Sequence, residues 1–129
     1  MIVVDTSAFV AIFLQEPDAD LLSSRLALAE AATMSAATYL ECAMVVSRYP
    51  DGRAALDDWL LRRGIVIDPV DHALAQAAAD AFERYGKGRH PAGLNFGDCF
   101  SYALAQTRGA PLLFKGDDFA RTDVRRPPP

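Results

Sequence analysis

The chain has 129 residues, 51% of them apolar, and a formal charge of −4. Length sets one domain as the expectation, residues 1–129, and the evenly spread apolar residues exclude a disordered chain. The acidic balance excludes a global attraction to nucleic acid or an anionic membrane, so any such contact has to be built locally.

The opening run MIVVD, short and rich in β-branched residues, predicts a strand buried on both faces of a parallel sheet. TSAFVAIFL predicts a helix directly after it, and EPDADLLSSRLALAEA a second, with Pro17 near its start. TMSAAT reads as a weak strand, ATYLECAMVVSRY as a strongly apolar helix, and DGRAALDDWLLRRG as a helix closed by Gly64. IVIDPV repeats the opening pattern, a β-branched run ending at Asp68. DHALAQAAADAFERYG predicts a long helix capped by Asp71 and stopped at Gly86. A polar loop, GKGRHPAGLN, separates it from a helix over GDCFSYALAQTRG. PLLFKGDDF reads as a strand and turn, and residues 124–129 as a frayed tail. Strands alternating with helices imply a three-layer α/β/α sandwich around a mostly parallel sheet.

Cys42 and Cys99 lie far apart in apolar stretches and form no metal or redox motif, which suits core thiols in a reducing compartment. No basic leader precedes an apolar segment, and no run approaches the roughly 18 apolar residues of a membrane span. The expectation is a cytoplasmic protein.

In parallel sheets of this kind, ligands bind beyond the carboxyl ends of the strands. Asp5 follows the first strand, Asp117 and Asp118 follow the last, and Asp98 sits near a helix start. Glu41 lies in an apolar helix, among Ala37, Thr38, Met44 and Val45. Each acid has a local explanation: Asp5 and Asp98 as helix caps, Asp117 and Asp118 as turn residues, Glu41 at a helix edge or paired with Arg48. Together they form a set of carboxylates, which repel one another unless a cation is shared. Mg²⁺ or Mn²⁺ suits such hard oxygen donors, and the chemistry it brings is hydrolysis of phosphodiesters.

The segments VVDTSAF, YLECAMVV, GLNFGDCFSYALA and PLLFKGDDFARTD, in that order and spacing, resemble the PIN-domain ribonucleases, most closely the VapC-type toxins of bacterial toxin–antitoxin pairs. The resemblance covers Met1 to about Asp123. It implies a Mg²⁺- or Mn²⁺-dependent endoribonuclease, a homodimer, and a cognate antitoxin protein as partner. It also implies that Asp5, Glu41 and Asp98 are catalytic, metal-binding acids and that Asp117 is the fourth, with Asp118 the alternative. Ser7 matches a hydroxyl beside that site.

For the RNA substrate, Arg84, Lys87, Arg89 and His90 form a local basic cluster, and Lys115 stands next to the acidic turn. The same cations also suit a solvated loop at a helix C-terminus. Tyr85, Phe96 and Tyr102 are candidates for stacking on bases. Two other classes remain open. A phospho-receiver domain would use Asp5, Asp68 and Lys115, but it leaves Glu41 and Asp98 without a role. A non-catalytic binding module on the PIN-like fold leaves all the acids without one.

Overall fold

The computed structural model describes residues 1–129. Four strands, β1 (Ile2–Val4), β2 (Ala32–Ser35), β3 (Ile65–Asp68) and β4 (Leu112–Leu113), form one sheet in the order β3-β2-β1-β4. All three pairings are parallel, with Val3 beside Thr33 on one side and Leu112 on the other. Six helices connect or flank them: α1 (Thr6–Phe13), α2 (Ala19–Leu28), α3 (Ala36–Val46), α4 (Gly52–Arg63), α5 (His72–Tyr85) and α6 (Phe96–Arg108).

The period of two along β1 divides the core. Ile2 and Val4 face a cluster built by α1 to α4, with Phe9, Leu22, Val46 and Trp59. Val3 faces the opposite cluster, built by α5 and α6, with Leu74, Tyr85, Tyr102 and Leu104. Central burial on both faces is why these strands read as unbroken apolar runs rather than alternating ones. Each fully buried valine here is worth about 2 kcal/mol of transfer free energy. The result is the expected three-layer α/β/α sandwich with a parallel sheet. Cys42 and Cys99 are free and buried in these two clusters, as their apolar settings implied.

Three local expectations shift. The last long helix begins at Phe96, capped by Asn95; Asp98 is its third residue and closes a reciprocal capping box. The loop after α5 is pinned by a bridge between Gly86 and Leu94, and Leu94 and Ala92 are buried. The tail is docked rather than frayed. Leu112 N donates to Arg125 O at 2.9 Å, Arg126 lies over the Phe114 ring, and Pro127 is buried. No helix is long and apolar enough to cross a membrane.

Candidate active site

Asp5 is the first residue past β1, and only 3% of its surface is exposed. Its backbone N–H donates to Leu113 O of β4 at 3.0 Å, so the sheet itself fixes where the side chain starts. Its carboxylate caps α1: Oδ2 accepts from Ser7 N at 3.0 Å and from Ser7 Oγ at 2.6 Å. Oδ1 accepts from Ser101 Oγ of α6 at 2.6 Å. Capping and company are both present, so the cap role does not account for the residue alone.

Glu41 comes to the same place from α3. Its carboxylate accepts from the Thr6 hydroxyl at the start of α1. On the other side lies the backbone of Gly97, where a Cβ would stand 2.5 Å from Oε2 and 2.8 Å from Oε1. The bare backbone of α6 thus passes directly against the carboxylate, and any side chain at position 97 would displace the end of Glu41. No Arg48 pairing exists; the acid belongs to the cleft.

Asp98 faces the cleft from α6, its Oδ2 accepting from Asn95 N at 3.0 Å. Burial first, and then the charges of Asp5, Asp118 and Glu41, push its carboxyl up to about 6, against a lowering by the Asn95 amide. Burial disfavours the charged form, and the neighbouring carboxylates add to that effect. Asp5, Thr6, Ser7, Glu41, Asp98, Glu16 and Lys115 line one cavity of about 330 Å³ at the carboxyl edge of the sheet. Asp117 and Asp118 stand exposed outside that lining, at the turn after β4. Both belong to the same exposed turn, and the charge of Asp118 is among those that act on Asp98.

The donor set fits a hard divalent cation: carboxylate oxygens from β1, α3 and α6, with no imidazole or thiolate lining the cavity. As the side chains stand, no three acids close on one point. Each is turned toward a hydroxyl or an amide, the arrangement that like charges adopt among donors. Lys115 does not neutralise Asp117. Its Nζ pairs with Glu16 at 2.9 Å and Asp18 at 3.2 Å, while its backbone N donates to Ser7 Oγ at 3.0 Å.

Across residues 2–125 the sequence matches the PIN domain family. The chain belongs to that family. Among curated PIN relatives, a protein named Ribonuclease VapC from Mycolicibacterium smegmatis is 57% identical over 125 residues, 95% of this chain and 96% of that one. Ribonuclease VapC30 of Mycobacterium tuberculosis is 50% identical over 125 residues, covering 95% of each. Among solved structures, VapC20 of M. tuberculosis, described as a sarcin-ricin loop cleaving toxin, superposes with a TM-score of 0.76 at 19% identity over the whole of both chains. A toxin–antitoxin complex from Klebsiella pneumoniae gives 0.73 at 18% identity, over 95% of this chain and 93% of that one. At such identities the superpositions speak for the PIN fold.

The remaining candidates fall outside the acid cleft. Arg84 pairs with Asp123 at 3.3 Å and lies over Tyr85; Arg89 lies over Phe82; His90 accepts from Ala92 N at 3.0 Å. With Lys87 they sit on the end of α5 and the loop that leads into α6 and Asp98. Tyr85 and Tyr102 are core residues, whereas Phe96 is 81% exposed. Asp68 is held by Thr33 and Arg108 on β3, with β2 between it and Asp5. A receiver-type pairing of Asp5 with Asp68 is therefore ruled out by strand order. Sequence reasoning missed Gly97 and Ser101. Their signal was spacing on α6, where Ser101 lies one turn after Asp98 and Gly97 immediately before it.

Proposed function

We propose that this PIN-domain protein is the toxin of a bacterial toxin–antitoxin pair and acts as a Mg²⁺- or Mn²⁺-dependent endoribonuclease. The convergence of Asp5, Glu41 and Asp98 from three elements on one cleft is the observation that carries the reading. The names of relatives at 57% and 50% identity support it. Asp5, Glu41 and Asp98, joined by Asp117 or its neighbour Asp118, would hold the cation. A cation there supplies Lewis-acid activation of water and offsets charge on the phosphate under attack.

The chain's own contribution is geometric and electrostatic. Ser7 and Ser101 fix Asp5, Thr6 and Gly97 fix Glu41, and the Asn95 cap fixes Asp98. Lys115, held at the cleft wall by Glu16 and Asp18, is placed to meet a backbone phosphate. Arg84, Lys87, Arg89 and His90, on the end of α5 and the loop leading to Asp98, would be the local cations that meet the RNA backbone in an otherwise acidic protein.

Incubation with RNA and Mg²⁺ or Mn²⁺, with and without EDTA, tests the reading. Cleavage that requires the cation and is lost in Asp5→Asn is expected. Full cleavage by Asp5→Asn or Asp98→Asn overturns it.

Two assembly partners follow from the same reading. Leu40, Met44 and Phe96 are each more than half exposed, and with Phe82 and Phe100 they line continuous apolar grooves on α3, α5 and α6. Pairing with a second copy would cover that face, and Met44→Glu is expected to shift a dimer to monomer in light scattering. The other partner is a small antitoxin, as in the complexes that several structural neighbours represent. RNA as substrate and two free, buried cysteines support a cytoplasmic setting for this activity.

A further inference from the structure

Behind Asp5 runs a chain of buried hydroxyls that the acid set does not include. Ser35, Thr38 and Ser101 are each no more than 1% exposed, an unusual burial for three hydroxyls in apolar layers. Ser101 Oγ donates its single proton to Asp5 Oδ1 at 2.6 Å. With that proton committed, the 3.2 Å contact between Thr38 Oγ1 and Ser101 Oγ has one polarity, Thr38 donating. Ser35 Oγ in turn donates to Thr38 Oγ1 at 3.0 Å, and Ser35 Oγ accepts from Thr38 N at 3.0 Å. Every proton therefore points the same way, from Ser35 through Thr38 and Ser101 to the Asp5 carboxylate. Each link belongs to a different element: β2, α3, α6 and the end of β1.

We propose that Ser101, backed by Thr38 and Ser35, is the positioning residue of the acid site, holding one oxygen of Asp5 toward the interior so that the carboxylate is presented to the cleft in a single orientation. The inference rests on the cation-binding reading of that cleft. Hydrogen bonds in such a chain polarise one another, so the last link is stronger than an isolated serine contact. Ser101 lies three residues after Asp98, on the same side of α6. One helix thus carries an acid and the hydroxyl that orients a second acid from the sheet, and the relative placement of Asp5 and Asp98 is set by α6 as a rigid body. Ser7 holds the other oxygen, Oδ2, from the outer side. Ser101 is buried and lies outside the cavity lining, so it acts through Asp5.

The test is Mn²⁺ affinity by calorimetry, which needs no RNA, together with thermal unfolding and kcat and KM for RNA cleavage. Ser101→Ala is expected to weaken Mn²⁺ binding about tenfold, the usual scale for losing a group that orients a ligand, and to lower kcat with KM little changed. Thr38→Val, which keeps the packing and removes the donor, is expected to weaken binding about threefold. The Ser101→Ala/Thr38→Val double variant is expected to lose no more than Ser101→Ala alone, because Thr38 acts through Ser101. A purely structural role predicts a lower unfolding temperature with unchanged affinity, and that result overturns the proposal. So does a double variant whose losses add. Should Ser101→Ala fail to fold, wild-type affinity in Thr38→Val alone overturns it. A wild-type chain that binds no Mn²⁺ overturns this inference together with the metal reading. One that binds Mn²⁺ but cuts no RNA overturns only the ribonuclease reading, and the affinities still decide the role of Ser101.

Discussion

Replacing Gly97 by alanine perturbs the site without removing any acid. A Cβ there would lie 2.5 Å from Glu41 Oε2, 2.8 Å from Oε1 and 2.9 Å from Cδ, whereas ordinary contact begins at 3.4 Å. The carboxylate therefore has to retreat by about 1 Å, the difference between 3.4 and 2.5 Å. Thr6 holds it from the opposite side, so the movement breaks that hydrogen bond or drags the acid out of line. A misplacement of about 1 Å at a catalytic group costs on the order of 100-fold in rate, or about 3 kcal/mol in the barrier. Stability moves the other way: Gly97 lies within the first turn of α6, and alanine in a helix is favoured over glycine by roughly 0.5–1 kcal/mol. The expected pair of results is a 100-fold loss in kcat/KM for RNA cleavage with an unfolding temperature unchanged or slightly raised. In a Glu41→Ala background the three nearest atoms are gone, so the second substitution should cost no further activity. Wild-type cleavage by Gly97→Ala, or a loss of activity that tracks a loss of stability, would refute the reasoning.

Three further outcomes are expected. Because burial and neighbouring acids push the Asp98 carboxyl up to about 6, the folded chain keeps that proton to higher pH than the unfolded chain. Metal-free stability should therefore fall as pH rises from about 4 to about 6 and stay lower above it. A fully buried group would lose about 3 kcal/mol; solvent at this partly exposed one leaves about 1–2 kcal/mol, readable by urea unfolding in EDTA and absent in Asp98→Asn. Mg²⁺ at about 100 times its dissociation constant should stabilise the folded chain by about 2.7 kcal/mol, reversed by EDTA and lost in Asp5→Asn. Finally, one of Asp117→Asn and Asp118→Asn should lower cleavage about tenfold while the other stays within about twofold, and RNA cleavage by the two variants side by side identifies the fourth acid.

Some of this was legible in the chain and some was not, for physical reasons. IVVD is a run that only a doubly buried strand explains, and Asp5 stands at its carboxyl end as expected. Helices with strong stops, such as the one ended by the left-handed Gly64, fall where their residues put them. The start of α6 was misplaced because Asp98 and Asn95 are both good caps, and the choice was made by the reciprocal pair that only Asn95 allows. Asp117 and Asp118 are indistinguishable by pattern, since a tight turn has no period to say which side chain faces inward. The hydroxyls of Ser35, Thr38 and Ser101 left no mark in an apolar helix and strand, because one buried serine looks like any small core residue until its partner from another element is known. Lys115 pairs with Glu16 and Asp18 across about a hundred residues, beyond the reach of any local rule.

The docked tail has a consequence for how this sheet ends. Parallel sheets expose a row of unpaired backbone groups at each edge, a template on which another chain can add. At β4 the Leu112 amide is already taken by Arg125. Arg125 is followed by Arg126 and three prolines. Proline has no N–H to offer a neighbour, and like-charged guanidinium groups resist stacking copies side by side. The segment thus works as a selvage, finishing the fabric of the sheet so that it does not grow. A chain shortened before Val124 would present β4 as raw edge, and its first failing would be self-association rather than loss of the acid cleft.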